Sequence, residues 1–381
     1  MNTVKIGLLG GGFMGKAHSN AYHTIPYMFY PRKFEIERTA VCCSTIEEAN
    51  ESADRFGFLS AYDNYEKMLE EADITAFDHA GPDPLHYPAV MKAIACGKHI
   101  YCEKPISMNA AQAEEMYKAA DAAGVVHMAG FNYRFFPANL LARRLISEGK
   151  IGQIYHTRFQ YDQHYGASDS LFADDIWFNN NGRADGVGQA IGCHVIDLAR
   201  YLVGDIVSLT GLSKIYKKER PSKDGNIVNM VGEEGSYALV DFKNGATGSI
   251  ESTQMASGVT NNLHWEIYGS KGSMSFSLER PNYLKVFLED SVIKEVSGFA
   301  DVSVTMRNLN HPYADIWWGP GHNIGWEHGH IASIAHFCDC VANGVSVSPI
   351  GGTLYDGYIS EKVLETIKKS SAEGKKISLD Y

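Results

Sequence analysis

The first third of the chain alternates short apolar runs with segments in which apolar residues recur at helical spacing. The apolar runs predict strands at residues 4–9, 34–43, 74–77, 99–102 and 125–129. The segments between them predict helices at residues 13–22, 46–56, 87–96 and 110–123. Short apolar strands that alternate with helices are typical of a parallel sheet covered by helices on both faces.

From about Gly130 the pattern changes to longer runs in which apolar and polar residues alternate. These runs predict strands at residues 154–161, 206–215, 235–242, 247–254 and 263–268. Helices are predicted at residues 137–148, 188–202, 329–342 and 353–371. Turn signals such as Lys243-Asn244-Gly245 between the alternating runs indicate an antiparallel sheet.

We therefore predict an α/β protein of two domains. Residues 1–130 form a dinucleotide-binding Rossmann domain with a doubly wound parallel sheet. Residues 131–381 form a substrate-binding and oligomerisation α/β domain with an open, mostly antiparallel sheet. The length of the chain agrees with two domains, because a single hydrophobic core stops growing at about 250–300 residues and this chain has 381. Large exposed apolar patches are rare on monomers, so the open face of this sheet is expected to be covered by a second copy of the chain. We therefore expect a homodimer or homotetramer.

Composition and charge exclude several classes of function. The chain is 45% hydrophobic and 21% charged, as is ordinary for a globular protein. Its net charge of −11 argues against nucleic acid or an anionic membrane as a partner. No apolar run approaches the roughly 20 residues that span a bilayer. Because the first residues run straight into a strand, and the seven cysteines fit no disulfide framework, we expect a cytoplasmic protein with reduced thiols.

The first motif is Gly10-x-Gly12-x-x-Gly15, which follows a predicted strand and opens a helix at Phe13 and Met14. The first glycine permits a tight turn, the second lets the backbone approach a pyrophosphate, and the third lets helix and strand pack closely. The helix N-terminus then offers N–H groups to the phosphates. This context predicts a dinucleotide site; the alternative is a flexible turn that binds nothing.

The usual companion of this motif is an acidic residue at the end of the second strand, which binds the adenosine ribose. Here Cys43 and Ser44 stand in that region, with no carboxylate and no arginine nearby. NAD and NADP both remain open on this pattern. We favour NAD, because a 2′-phosphate normally recruits a guanidinium or an ammonium group.

The second motif is Glu103-Lys104-Pro105, directly after the predicted strand 99–102. The carboxyl edge of a parallel sheet is where such folds bind ligands. A lysine at this edge can reach a substrate hydroxyl. Taken alone, such a motif is most often a solvated charge pair in a loop.

Several segments together resemble the Gfo/Idh/MocA family, which includes glucose–fructose oxidoreductase, inositol dehydrogenases and dehydrogenases of sugars and glycosides. The matching segments are Gly10–Gly15, Ala95–Pro105, Gly130–Pro137, Gly192–Ala199 and Gly325–His328. They occur in the family's order and spacing, and the resemblance extends through most of the chain.

The resemblance implies a role for each matched residue. Lys104 contacts the nicotinamide ribose and the reacting hydroxyl, and Glu103 binds the same ribose. Pro82 and His86 line the cofactor cleft. Further residues lie beside the nicotinamide or the substrate: Asn132, Tyr133 and Arg134. His194 reaches the substrate oxygen.

One position departs from the family pattern. The family often carries an aspartate four residues before this histidine, one helical turn away. That position is Ala190 here, with Gln189 beside it, and Asp185 is too far back to share the turn. We therefore expect His194 to be the general base and Lys104 to be a cationic hydrogen-bond donor. A neutral imidazole can accept a proton near neutral pH, whereas an ordinary lysine is already protonated.

A further group mixes aromatic with hydrogen-bonding side chains, a combination that suits sugars with apolar faces and polar rims. Its members are Tyr161, Asp162, Gln163, His164, Tyr165, Trp177 and Arg183. From it we expect Gln163 and Trp177 to contact the substrate, together with Tyr133; the alternative places the aromatic residues in the core. The histidines near the C-terminus lack metal-ligand spacing, so we predict no metal.

The predicted function is NAD(P)-dependent oxidation of a secondary ring hydroxyl on a sugar, a glycoside (carbon 3 being one position) or an inositol. Two alternatives remain. One is a family branch that uses tightly bound NAD for transient sugar oxidation coupled to glycoside cleavage. The other is a non-catalytic dinucleotide-sensing protein, which the intact Glu103-Lys104-Pro105 and His194 disfavour.

Overall fold

The computed structural model describes residues 2–175, 186–290, 297–306 and 312–381. The chain divides into two compact units. The first consists of Met1–Phe135 and Gly325–Tyr358, and the second of Phe136–Ile324 and Ile359–Tyr381. The domain boundary near residue 130 stays a prediction, but it did not include the return of residues 325–358 to the first unit.

The first unit is built on a six-stranded parallel sheet. Its strands are β1 (Thr3–Leu9), β2 (Glu35–Cys42), β3 (Ser60–Tyr62), β4 (Ala76–His79), β5 (His99–Cys102) and β6 (His127–Ala129). The strand order is β3-β2-β1-β4-β5-β6. The order reverses between β1 and β4, and the crevice beyond the carboxyl ends of strands at such a point is where doubly wound sheets bind ligands.

Helices connect these strands. They are α1 (Phe13–Met28), α2 (Ile46–Phe56), α3 (Tyr65–Glu71), α4 (His86–Ala95) and α5 (Ala110–Ala123). A later helix, α8 (Trp326–Asn343), packs against α1 within the same unit. The side chain of Thr45 accepts a hydrogen bond from the N–H of Glu48 and so fixes the start of α2.

The second unit carries a nine-stranded sheet of order β16-β15-β14-β13-β7-β12-β11-β8-β17. Its strands are β7 (Ile154–Asp162), β8 (Ile206–Lys214), β11 (Gly235–Phe242), β12 (Thr247–Thr253), β13 (Asn262–Gly269), β14 (Gly272–Ser277), β15 (Tyr283–Leu288), β16 (Ala300–Ser303) and β17 (Ile377–Ser378). Only the pair β7 and β12 is parallel among these strand pairs, so the predicted mostly antiparallel sheet is confirmed. A separate hairpin pairs β9 (Glu219–Pro221) with β10 (Ile227–Asn229).

One face of the nine-stranded sheet forms the core of this unit. Buried side chains such as Phe159 and Trp265 lie on it, with the indole N–H of Trp265 donating to Asn139 on helix α6 (Pro137–Ser147). Leu212 and Leu239 of the opposite face are exposed. Apolar side chains on an open face agree with a covering partner, and the homo-oligomer stays a prediction.

The remaining helices are α7 (Cys193–Leu202), which belongs to the second unit, and α9 (Leu354–Glu373), whose first residues belong to the first unit and the rest to the second. A five-residue π-helix, Gly188–Gly192, leads directly into α7, where the sequence predicted one continuous α-helix. Along the described parts of the chain, no helix is both long and apolar enough to cross a membrane. All seven cysteines are free thiols.

Candidate active site

The glycine-rich turn connects β1 to α1. Gly10 has φ of +106°, and a Cβ there would lie 2.7 Å from the carbonyl oxygen of Ala80. A Cβ at Gly15 would lie 2.0 Å from the carbonyl oxygen of Gly10. A Cβ at Gly12 would meet no atom within 4 Å, so the turn leaves open space beside its backbone there. The first and third glycines are therefore required by packing, and the second lies where a ligand can approach.

Phe13 and Met14 begin α1, as the sequence predicts. Phe13 is 73% exposed, and its ring stacks on Trp326 at 5.4 Å between centroids. Trp326 is the first residue of α8; the sequence matched it to the family but assigned it no role in the site. It comes from the segment that returns to this unit, and no local pattern ties it to the turn.

The end of β2 holds the predicted residues Cys43 and Ser44. The thiol of Cys43 lies 3.5 Å from the hydroxyl oxygen of Ser52. Ser44 donates its hydroxyl hydrogen to the carboxylate of Glu48 at 2.6 Å. The sequence contains no carboxylate at this strand end, but the first turn of α2 brings one there.

Pro82 opens a short 3₁₀ helix, Asp83–Leu85, after β4. The buried ring of His86 places its Nδ1 2.6 Å from the carbonyl oxygen of Pro105 and its Nε2 3.1 Å from that of Gly81. His86 therefore joins this turn to the Glu103-Lys104-Pro105 loop from inside the fold. Beside it, burial lowers the pKa of His79 well below its usual range, and Nδ1 of His79 accepts a hydrogen bond from the N–H of Gly81.

Glu103 and Lys104 follow β5, as predicted. Glu103 is buried, Lys104 is half-buried, and the backbone N–H of Lys104 donates to the Glu103 carboxylate at 3.3 Å. A Cβ at Gly130 would lie 2.6 Å from Oε1 of Glu103, so only glycine leaves room for this carboxylate. Burial would raise the pKa of Glu103, but the hydrogen bond and charge of His18 hold it below its ordinary value.

His18 is a site residue that the sequence reasoning missed. Its Nδ1 lies 2.9 Å from both carboxylate oxygens of Asp78, and its Nε2 lies 3.2 Å from Oε1 of Glu103. His330 of α8 packs beside it, with 5.8 Å between ring centroids. One side-chain nitrogen or oxygen atom of each of His18, Glu103 and His330 lies within 4.8 Å of the other two, so His330 belongs to this group and is separate from the other C-terminal histidines.

Asn132, Tyr133 and Arg134 form part of a buried 3₁₀ helix after β6. The amide nitrogen of Asn132 is buried with no hydrogen-bond partner, which marks it as a donor for a polar ligand group. The guanidinium of Arg134 donates to the carbonyl oxygen of Gly351 and lies 3.3 Å from a carboxylate oxygen of Asp356. Arg134 thus braces the returning segment, and its predicted contact with cofactor stays a prediction.

In the second unit, His194 is the second residue of α7 and is buried. Its ring centroid lies 6.0 Å from that of Tyr161 on β7. Ala190 lies in the π-helix, and the amide of Gln189 donates to the buried carboxylate of Glu361 at 2.7 Å. The carboxylate that the family often places before this histidine is thus absent from the turn itself.

Gln163 follows β7 and belongs to a small amide cluster. Its amide nitrogen donates to Asn261 at 2.7 Å, and its amide oxygen accepts from Gln254 at 3.0 Å. Asn261 also accepts the hydroxyl hydrogen of Tyr161 at 2.8 Å. Trp177 and Arg183 of the predicted substrate group, and Asp185, lie outside the described residues.

Comparison with known proteins identifies the family. The model described as "Oxidoreductase family, NAD-binding Rossmann fold" matches residues 4–131, and "GFO/IDH/MocA C-terminal domain" matches residues 139–275. This chain belongs to the Gfo/Idh/MocA family of oxidoreductases. The family, the α/β fold with its NAD-binding Rossmann domain, and the oxidoreductase class predicted from the sequence are confirmed.

Relatives of this Gfo/Idh/MocA protein include dehydrogenases of sugars and inositols. Levoglucosan dehydrogenase of Pseudarthrobacter phenanthrenivorans is 35% identical over 97% of this chain and 98% of that protein. The scyllo-inositol 2-dehydrogenase (NAD(+)) of Bacillus subtilis is 26% identical over 84% and 81%. A solved structure of levoglucosan dehydrogenase in complex with NADH and levoglucosan superimposes with a TM-score of 0.93 at 34% identity, and each chain is covered in full.

Proposed function

We propose that this protein oxidises a secondary ring hydroxyl of a sugar, a glycoside or an inositol, with NAD⁺ as the hydride acceptor. One observation carries the proposal. The Gly10–Gly15 turn follows β1, and the Glu103–Lys104 pair follows β5, at the carboxyl edge of a single parallel sheet. A phosphate cradle and an acid–lysine pair at one sheet edge suit a dinucleotide and a hydroxyl-bearing substrate.

The residues of the first unit fit a nicotinamide dinucleotide. The open space at Gly12 and the first N–H groups of α1 suit a pyrophosphate. The orphaned amide nitrogen of Asn132 and the ionised carboxylate of Glu103 offer a donor and an acceptor for ribose and carboxamide groups. When bound, NAD⁺ supplies the chemistry that side chains lack, which is acceptance of a hydride.

In this proposal Lys104 donates a hydrogen bond to the reacting hydroxyl and stabilises the negative charge that develops on its oxygen. His194 removes the hydroxyl proton as general base. Both assignments rest on the family motifs and on the chemistry of an ammonium and an imidazole. Tyr133 and Gln163 are proposed to contact the sugar, since phenol and amide groups suit its hydroxyls.

For the substrate, the relatives point to a cyclic polyol. We expect levoglucosan, or a glycoside oxidised at carbon 3, to give the highest kcat/KM in a panel that also contains free hexoses and inositols. The assay follows the absorbance of NADH. A protein that turns over none of the panel would contradict the proposal. If the cofactor stays bound through turnover while a glycoside is cleaved, the result would favour the alternative in which tightly bound NAD serves transient sugar oxidation coupled to glycoside cleavage.

A separate prediction concerns the choice between NAD⁺ and NADP⁺. The carboxylate of Glu48 accepts from Ser44 at the end of β2, where the adenosine ribose binds in Rossmann domains. We expect NAD⁺ to bind more tightly than NADP⁺, because this carboxylate repels a 2′-phosphate. Glu48→Gln should lower the ratio of the dissociation constant of NADP⁺ to that of NAD⁺ about five-fold. The reason is that one exposed charge contact at about 4 Å contributes about 1 kcal/mol.

Glu47→Gln is the matched control, because Glu47 is an exposed carboxylate in the same helical turn. Its cofactor preference should equal that of the wild type. A wild-type protein that prefers NADP⁺, or equal effects of the two variants, would show that Glu48 does not select the cofactor.

A further inference from the structure

The group under the Glu103-Lys104 loop is assembled from four elements of the first unit. His18 comes from α1, Asp78 from β4, Glu103 from the end of β5, and His330 from α8. His18 and Asp78 are fully buried, and Glu103 is 4% exposed. Ionisable side chains are seldom buried in this way unless they are paired.

The geometry fixes the protonation of His18. Each of its ring nitrogens lies within hydrogen-bond distance of a carboxylate oxygen, Nδ1 toward Asp78 and Nε2 toward Glu103. Ionised carboxylates only accept, so both ring nitrogens must carry a hydrogen, and that describes the imidazolium cation. In agreement, burial opposes the charge of His18 but the two carboxylates raise its pKa to about 10.

The other titratable groups around His18 are neutral. Tyr22 donates its hydroxyl hydrogen to Asp78 at 2.7 Å, and Tyr101 meets the His18 ring edge-on and shares a hydrogen bond with Ser333. Burial raises the pKa of Tyr22, Tyr101 and Cys338, so these groups keep their hydrogens. Burial also lowers the pKa of His330 to about 3, so this ring carries no charge. One imidazolium and two carboxylates are therefore the charges of this group, with Lys104 next to it.

We infer that His18 is a positioning residue of the proposed NAD-dependent reaction: held by Asp78, it clamps one oxygen of Glu103 and so fixes that carboxylate for the cofactor. The inference rests on the proposed function. The second oxygen of Glu103 accepts the N–H of Lys104, so the same clamp sets the backbone from which the lysine extends. His18 lies on α1, the helix that starts at the glycine-rich turn, so its contact with Glu103 connects this helix to the loop after β5.

In this inference a proton on Nε2 takes the place through which the His18 ring could otherwise ligate a metal ion. A metal ion could bind Nε2 only after that proton had left the space between His18 and Glu103. The clamp therefore needs no ion. Stoichiometric zinc in the purified protein, removed by EDTA, would overturn the inference.

The first test uses the wild-type protein without added cofactor, labelled with ¹⁵N in its histidine rings. We expect one histidine to keep both ring hydrogens at about pH 8.5, because carboxylates within hydrogen-bond distance favour the charged form. The signal should vanish in His18→Gln and shift in Tyr22→Phe, which removes only the hydroxyl that Asp78 accepts. Absence of such a signal from the wild type, or its survival in His18→Gln, would overturn the inference.

The second test is a double-mutant cycle on the dissociation constant of NADH, measured by fluorescence. His18→Gln and Glu103→Gln should each weaken binding about tenfold, as expected for loss of a charged hydrogen-bond partner. The double variant should be no weaker than either single variant, because both act through one carboxylate. His23→Gln, an exposed position on the same helix, is the control and should bind as the wild type does. Strictly additive effects would mean that His18 acts elsewhere.

The third test is the pH profile of NADH binding. The pKa of His18 is raised, so the clamp is present at low pH and is lost as pH rises through that pKa. Wild-type affinity should stay flat up to about pH 9, whereas Asp78→Asn should lose affinity as pH rises within about pH 6–9, because only one carboxylate then holds the proton. Identical profiles would overturn the inference. Failure of the wild type to bind NADH would instead overturn the proposed function.

Discussion

Replacing Lys104 with methionine is expected to remove most of the turnover while NADH binding persists. Loss of a preorganised hydrogen-bond donor at a developing negative charge typically lowers kcat about 10²–10³-fold, and we expect a decrease of that size. Methionine keeps much of the length and apolar character of the side chain but removes the ammonium. The loss should therefore appear in kcat, with the NADH dissociation constant changed by less than about threefold, since the lysine's charge acts chiefly in the transition state.

The matched control is Lys118→Met, at an exposed lysine of the same unit whose ammonium pairs with Glu114 on its own helix. That variant should keep wild-type kcat and NADH affinity, because surface ion pairs contribute little. A Lys104→Met protein with near-normal kcat would remove Lys104 from the mechanism.

The second large effect is expected at His194. If this imidazole is the general base, oxidation must fall at acidic pH, where the imidazole is protonated and cannot accept the hydroxyl proton. His194→Ala should abolish that acidic limb of the kcat/KM profile and lower the rate by about 10²–10⁴-fold. With Ala190 on the preceding turn, no carboxylate there can take over the proton.

Because His194 is buried, a loss of activity must be separated from a loss of folding. His194→Gln conserves more of the side-chain volume and should show the same loss of rate with little change in the melting temperature. His156→Ala, at an exposed histidine of the same unit, should keep both the rate and the acidic limb. If both His194 variants unfold readily, or keep the wild-type pH profile, His194 is structural and the base is another group.

The elements that the sequence predicted well have strong local signals. The predicted bounds of α2, α5, β5 and β11 agree with the structure. In α2, a capping threonine and a C-terminal glycine with φ of +71° mark both ends. Strands β9, β10 and β14–β17 of the second unit were also missed. The missed elements of the first unit are short: β3 has three half-buried residues, and α3 has seven residues. So few residues give too little periodicity to recognise.

The π-helix before His194 was missed for a different reason. The sequence from Gly188 to Leu202 carries apolar residues compatible with one continuous helix. A Cβ at Gly192 would lie 2.7 Å from the hydroxyl oxygen of Ser252, and one at Gly188 would lie 2.9 Å from Glu233. Close packing against Ser252 of β12 and against Glu233 therefore determines the backbone conformation from Gly188 to Gly192. These packing partners are distant in sequence, so the residues of the helix itself carry no pattern that would predict a π-helix.

The sequence by itself determined the features that depend on consecutive residues. The Gly10–Gly15 turn, the Glu103-Lys104-Pro105 loop and the alternation of strands and helices each lie within one short segment, and together they indicated the family. The tertiary structure alone decided the partners of those segments. His18 meets Asp78 across 60 residues and Glu103 across 85 residues, and His330 joins them from α8. Their pairing follows from the burial of charge, which is stabilised only where opposite charges meet, and the chain order does not encode which residues meet.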